Sequence, residues 1–329
     1  MRTLFLLWLL IALSGCGSLH HKPLHLVGPR LEDKAFVTAD GQHLPLYRWQ
    51  PNTAPEAVII ALHGFNDYGR FIESPAEFFI HHGIVVYAYD QRGFGASPHR
   101  GHWAGVETYT QDLITLVALV RKRHPDIPIY VLGESMGGAV AIVAAAGGLA
   151  HTDGLILAAP AVWARWTMPW YQRSLLWLAR RLTPWVELTG DGLGIVPSNN
   201  MEMLRALGND PLVIKASRVD AIAGLTDLMD QAQASAPRLQ LHTLYLYGGN
   251  DQIVPRAPTL RFLGQTDRKR VRLAWYDQGY HMLLRDLEAH RYWHDIVSWI
   301  ETPARPLPSG ADTHGKMILT QATHKKLIR

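Results

Sequence analysis

Six short, strongly apolar runs recur along the chain, at residues 57–62, 84–89, 127–132, 154–159, 241–247 and 271–276. Strands with one wet face alternate apolar and polar side chains, whereas runs this continuous suit strands covered on both faces, as in a parallel sheet. Between them, residues 71–82, 106–123 and 135–146 carry a helical pattern, the last rich in Gly and Ala. Strand and helix alternating in this way build an α/β domain with a mainly parallel sheet and helices on both faces. Residues 35–38 and 43–49, joined through Asp40-Gly41, read as a hairpin ahead of the first buried run.

The alternation stops after Pro160 and resumes at Leu241. Residues 161–236 read instead as helices broken by Pro169, Pro184 and a loop over 189–200, so they form a helical cap inserted after the sixth strand. The core is then 36–160 together with 237–301, residues 16–35 are a tether, and the Pro- and Gly-punctuated residues 302–329 are expected to be a mobile tail. Lys and Arg (32) nearly balance Asp and Glu (28), which argues against a polyanion-binding field and against nucleic acid as a partner. Oligomeric state is not legible in the chain.

Gly133-Glu134-Ser135-Met136-Gly137 falls directly between a buried run and a Gly/Ala-rich helix, the setting of a G-x-S-x-G nucleophile elbow. A strand-to-helix turn tight enough to project the serine hydroxyl crowds the residues two before and two after it, so glycine is needed there. Serine requires a base, and His281 follows the last buried run in a loop ahead of a terminal helix. His63 competes, but it ends an earlier strand, where a ring is better placed to shape the oxyanion loop. An acid must orient the imidazole. Asp251, reached from the preceding strand through Gly248-Gly249-Asn250, fits that role, with Asp277 as the alternative. The chain order Ser135, Asp251, His281 is that of α/β-hydrolases. Glu134, next to the serine, is expected to point elsewhere.

With these stand His63-Gly64-Phe65, Asn66-Asp67-Tyr68-Gly69-Arg70, Asp90-Gln91-Arg92-Gly93-Phe94-Gly95, Asn209-Asp210-Pro211-Leu212 and Gly249-Asn250-Asp251. Together, over residues 36–300, they resemble the monoglyceride lipase and lysophospholipase group of α/β-hydrolases, which is close to the serine aminopeptidases. The resemblance implies an α/β-hydrolase fold and the backbone amides of Phe65 and Met136 as oxyanion donors. It also implies that the segment holding Asp90, Arg92 and Gly93 braces the site loops. The reaction expected is hydrolysis of a single-chain lipid ester. A peptidase of the related group, or a lipid-binding protein without catalysis, are the alternatives. No Walker A, Rossmann or H-E-x-x-H motif is present and no Cys cluster can form, so neither nucleotide nor metal cofactor is called for.

The single cysteine is Cys16. It follows Arg2, an apolar run over 4–13 and Ser14-Gly15, the order of an export signal, and the run is about half the roughly 20 residues that span a bilayer. Leu13-Ser14-Gly15-Cys16 resembles the lipobox of bacterial lipoproteins, which implies a signal peptide over 1–15, a lipidated Cys16 and a place in the cell envelope. Gly17, rather than Asp, after the cysteine resembles outer-membrane lipoproteins. A membrane is therefore expected as a partner. Five of the eleven tryptophans lie at 163, 166, 170, 177 and 185, interleaved with Arg165, Arg173, Arg180 and Arg181. Such a series suits either a bilayer interface or the packing of the cap on the core, and the pattern leaves both open.

Overall fold

The computed structural model describes residues 28–327, apart from 191 and 193. Its strands, in chain order, are β1 (Arg30–Leu31), β2 (Ala35–Val37), β3 (His43–Trp49), β4 (Ala57–Leu62), β5 (Ile84–Tyr89), β6 (Ile129–Glu134), β7 (Gly154–Ala158), β8 (Glu187–Thr189), β9 (Ala216–Arg218), β10 (Thr243–Gly248) and β11 (Val271–Tyr276). Nine of them form one sheet in the order β1-β2-β3-β5-β4-β6-β7-β10-β11. The pairings from β5 to β11 are parallel, and β1, β2 and β3 join antiparallel. β4, β5, β6, β7 and β10 are buried along their whole length, as unbroken apolar runs require.

Helices cover both faces. On one, α2 (Val106–Arg123), α3 (Met136–Ala146), α6 (Val219–Ser235) and α7 (Arg256–Leu263) enclose the larger core around Val58, Ile60, Val131 and Leu157. On the other, α1 (Glu73–Ile80) and α8 (Ala289–Glu301) pack over Ile59, Leu132 and Ile156. This is the α/β architecture expected from the alternating runs. Among the described residues no helix is long and apolar enough to cross a membrane. The expected signal peptide, Cys16 and most of the expected tether lie outside the described residues.

The segment between β7 and β10 differs in detail from a purely helical cap. Its outer part holds α4 (Trp170–Leu182), α5 (Met201–Asn209) and an antiparallel ribbon of β8 with β9. Helix α6 falls within 161–236, yet Val219, Ala223, Leu228 and Ala232 are buried and the helix packs against α3, so by contact it belongs to the core. The two-residue strand β1 lies inside the expected tether and pairs with β2, so the cap follows the seventh strand of the chain rather than the sixth. Two residues are too few to leave a pattern.

The expectation of a mobile tail is corrected. Helix α9 (Ala311–Leu327) lies along β11. It covers the open edge of the sheet, where unpaired N–H and C=O groups would otherwise face solvent. Its approach is so close that a Cβ on Gly315 would stand 2.1 Å from the Leu273 carbonyl oxygen. The connection is tied by Arg272, which donates to the carbonyls of Arg305 and Pro303 at 2.6 Å, and by the buried Asp295, which accepts from Ser309 N–H at 3.0 Å and Tyr276 O–H at 2.7 Å. Gly315→Val is expected to push the helix off β11 at a cost of about 1–3 kcal/mol, typical of overpacking. A thermal melt should show it as a Tm several degrees lower, about 2–4 °C for each kcal/mol; an unchanged Tm would mean that the helix does not pack there.

Candidate active site

At the end of β6 the chain turns into α3 with Ser135 at φ 51° and ψ −112°, a left-handed conformation that costs a side-chain-bearing residue free energy. The turn is held by backbone. Ser135 N–H donates to the Ala158 carbonyl at 3.0 Å, and the Ser135 carbonyl accepts from Ala139 (3.1 Å) and Ala161 (2.8 Å). A Cβ on Gly133 would stand 2.5 Å from the backbone of Gly137 and Gly138, and one on Gly137 would stand 2.3 Å from the Leu62 carbonyl oxygen. Those glycines are there because strand, turn and helix touch through their main chains. Met136 opens α3, so its amide is among the helix-first donors that lack an intrahelical acceptor. The loop after β4 lies alongside: a Cβ on Gly64 would be 3.4 Å from the Ser135 Cβ, and the Phe65 amide follows directly.

Two further loops leave the sheet at the same end, after β10 and β11. They are laced together by Gly249 N–H to the Tyr276 carbonyl at 2.7 Å and Asn250 N–H to the Gly279 carbonyl at 2.9 Å. The lacing brings Asp251 against His281, Oδ2 to Nδ1 at 2.9 Å, with both side chains buried. The other oxygen, Oδ1, accepts from the amides of Ile253 (2.8 Å) and Val254 (2.9 Å), so the carboxylate is fully engaged. A carboxylate on Nδ1 fixes the proton there and leaves Nε2 with a free lone pair. Burial opposes a charge on the imidazole, but the Asp251 carboxylate and its hydrogen bond, with Glu134 beyond, outweigh burial and the Arg285 charge, so the His281 pKa lies above its ordinary value.

The competing residues are placed elsewhere. His63 is fully buried, its Nδ1 donates to the Gly64 carbonyl at 2.7 Å and its Nε2 accepts from Gln91 N–H at 2.9 Å. Both nitrogens are spent on backbone, and burial pushes its pKa down, so it is a neutral strut of the loop that carries Phe65. Asp277 is exposed and accepts from the Trp275 indole at 3.0 Å, with His314 Nδ1 at 3.3 Å. Arg92 forms a double fork with Asp40 (2.7 and 2.7 Å) and Asp112 (2.7 and 2.9 Å), and the Arg92 guanidinium holds the Asp40 carboxyl down to about 2. Asp210 of the Asn209-to-Leu212 motif accepts from Tyr68 O–H at 2.8 Å, while Asn66 donates to Ser217 at 2.7 Å, so the loop after β4 is fastened to the cap.

The sequence reading missed one residue. Arg285 donates through Nη2 to Asp67 at 2.7 Å and to Glu134 at 2.8 Å, in a buried cluster behind the serine. An arginine closing the apolar stretch Met282-Leu283-Leu284 was the available signal.

A strained serine at a strand-to-helix elbow, with an Asp-paired histidine at the same end of a parallel sheet, is the arrangement of an α/β-hydrolase. Residues 53–288 match the family model described as serine aminopeptidase, S33, and the chain belongs to that family. It is 30% identical to a monoglyceride lipase of Rattus norvegicus over 274 residues, covering 80% of this chain and 89% of the relative. A monoacylglycerol lipase of Mycolicibacterium smegmatis is 27% identical over 282 residues, covering 84% and 99%. Among solved structures, a Paleococcus ferrophilus monoacylglycerol lipase shares the fold with a TM-score of 0.65 at 24% identity, covering 78% of this chain and 98% of that one. A soluble variant of the Saccharomyces cerevisiae monoglyceride lipase does so with 0.67 at 18%, covering 87% and 97%.

An NMR titration of His281 should give a midpoint above the ordinary value of about 6.5. Asp251→Asn should lower it, because the carboxylate that favours the charged ring is gone. A wild-type midpoint below 6.5 would mean that desolvation prevails over the ion pair.

Proposed function

We propose that the protein hydrolyses carboxylic esters of single-chain lipids, monoacylglycerol first and lysophospholipid second, through an acyl-enzyme on Ser135. The observation that carries the proposal is the 2.9 Å Asp251–His281 pair at the same sheet end as the Ser135 elbow. Ser135 Oγ attacks the ester carbonyl while His281 Nε2 takes its proton. Asp251 holds the Nδ1 proton and balances the imidazolium. The amides of Phe65 and Met136 receive the oxyanion, each donor being worth about 10²–10³ in rate. His281 then protonates the leaving alcohol, and a water activated by the same nitrogen releases the fatty acid. The names of the monoglyceride lipase relatives favour monoacylglycerol over the peptide substrate that the family description suggests.

The second part of the proposal is a membrane setting. Cys16, after Leu13-Ser14-Gly15, is read as a lipid anchor and the protein as a lipoprotein of the bacterial cell envelope, at the outer membrane. The cap supports a second contact: α4 has no buried residue, and Trp170 is 71%, Trp177 55% and Trp185 62% exposed. Arg181 stacks on Trp177 at 4.1 Å, the indole-guanidinium pairing that suits an interface. Trp163, in contrast, packs against the core, so the tryptophan series divides between the two roles.

Ser135→Ala is expected to lose at least about 10³-fold in ester turnover and all fluorophosphonate labelling while keeping its Tm. Near-normal turnover would end the proposal, and faster cleavage of aminoacyl amides than of monoacylglycerol would turn it toward a peptidase. Trp166→Ala with Trp170→Ala should cut hydrolysis of long-chain monoacylglycerol well beyond that of a short soluble ester; an equal fall would make the cap structural. In cell fractions, Cys16→Ser should leave the membrane or accumulate as uncleaved precursor, and acyl-free mature protein beginning elsewhere would refute the anchor.

A further inference from the structure

We infer that Arg285 is a positioning residue for the reaction: one guanidinium nitrogen ties together the three loops that carry the oxyanion amide, the nucleophile and the base, and their alignment depends on it. The inference rests on the serine hydrolase reading above.

The connections are direct. Asp67 lies two residues after Phe65, its Oδ1 accepts from the Tyr68 amide at 2.9 Å, and its Oδ2 accepts from Arg285 Nη2 at 2.7 Å. Glu134 immediately precedes Ser135, and its Oε1 accepts from the same Nη2 at 2.8 Å. Arg285 itself lies four residues after His281, in the single helical turn Leu283–Arg285. The two hydrogens of Nη2 thus serve one carboxylate each. They link the ends of β4, β6 and β11 at a single atom.

The economy of the cluster differs from that of a stability brace. Arg92, farther along the same edge, engages all three of its nitrogens with two bidentate carboxylates. In the Arg285 cluster two carboxylates likewise share one cation, but Arg285 Nε and Glu134 Oε2 are buried without a hydrogen-bond partner among the described residues. Buried ion clusters of this kind contribute little net stability once desolvation is counted, and unpartnered buried atoms make that worse. What the arrangement supplies is register between loops, and a misplacement of about 1 Å in a reacting group can cost 10²-fold in rate. The excess negative charge also has a target. His281 is faced by Asp251 from the β10 loop, by Glu134 from β6, and by Arg285 and Asp286 from its own segment. Glu134 favours the imidazolium and Arg285 opposes it.

The test uses the full chain, a short p-nitrophenyl ester that does not need the cap, and kcat/KM as a function of pH. His281 acts as base only when neutral, so activity falls as pH drops through its pKa. Arg285→Met leaves two carboxylates without their cation, which should move this acid limb upward by about 0.5–1 unit, with kcat down roughly 10- to 100-fold and KM within about threefold. Glu134→Gln, which is isosteric, should move the limb the opposite way. Arg285→Lys should recover part of the kcat lost in Arg285→Met. A folded Arg285→Met variant with wild-type kcat and an unmoved acid limb would overturn the inference, as would activity losses that merely follow Tm while the limb stays in place. Should Arg285→Met not fold, Glu134→Gln decides alone, and an unmoved limb in it counts against the proposal. Mapping the fluorophosphonate adduct in wild type separates the two readings, because absence of label on Ser135 would sink the hydrolase assignment rather than the role of Arg285.

Discussion

The main-chain contact between β6, the turn at Ser135 and α3 is the constraint around which the molecule is arranged. A residue with a side chain held at positive φ carries a cost of about 1–3 kcal/mol, and it persists only where its surroundings over-determine it. Here they do so through three backbone hydrogen bonds and through glycines whose replacement would drive a Cβ to within 2.5 Å of backbone atoms. Because β6 stands between β4 and β7, with β10 and β11 beyond, the parallel strands deliver the other parts of the site to the same edge. Gly64 and Phe65 arrive from one side. Asp251 and His281 arrive from the other. A parallel sheet makes this economical, since every C-terminal strand end faces the same way.

Burial then assigns opposite tasks to two histidines at that edge. His63 and His281 are both nearly inaccessible, and desolvation opposes a charge on each. The His63 ring finds backbone partners, one carbonyl and one amide, which suit a neutral ring with its proton on Nδ1. His281 finds a carboxylate, and the carboxylate changes the sign of the balance. Spacing along the chain could separate them only indirectly, through the elements that each one ends. The hydrogen-bond partners give the physical reason: a base must gain a proton without losing its lattice of contacts, and the paired imidazole can do so while the strut cannot.

Much of the fold was legible because burial on both faces leaves a continuous apolar run, and β4, β5 and β7 carry that mark without ambiguity. The elbow was legible because its steric demand is written in adjacent residues, Gly133 to Gly138. What escaped was whatever depends on contacts between distant parts. Helix α9 has weak periodicity and several polar residues, since it lies along the edge of β11 and meets it partly through a glycine. Helix α6 resembled its cap neighbours by position, and only its packing on α3 makes it core. The exposed ribbon of β8 and β9 has three residues a strand, too short for alternation to register. Arg285 looked like an ordinary polar residue ahead of a helix, because its partners Asp67 and Glu134 lie 218 and 151 positions away.

The cap is linked to this edge by a mechanical route as well as a covalent one. Arg165 bonds to Asp227 and, at 3.0 Å, to Asp230; Arg180 reaches Asp227 at 3.0 Å; both acids project from α6, which packs on α3 behind Ser135. These ties hold α4 against α6 while leaving its indoles in water, a disposition that hydrophobic burial alone would not select. Covering the exposed 55–71% of one such ring removes roughly 80–180 Å² of surface from water, worth about 2–4 kcal/mol before ordering costs are counted. Among the described residues nothing uses that free energy, which leaves it for an apolar surface that covers the indoles. Under the proposed function and membrane setting, the face that settles on lipid is clamped through α6 to α3, the helix that follows Ser135, while Asn66–Ser217 and Tyr68–Asp210 clamp the loop that carries Phe65 to the same cap. An amphiphile gathered by the cap would therefore meet a site whose two catalytic halves are both referenced to the surface that collected it.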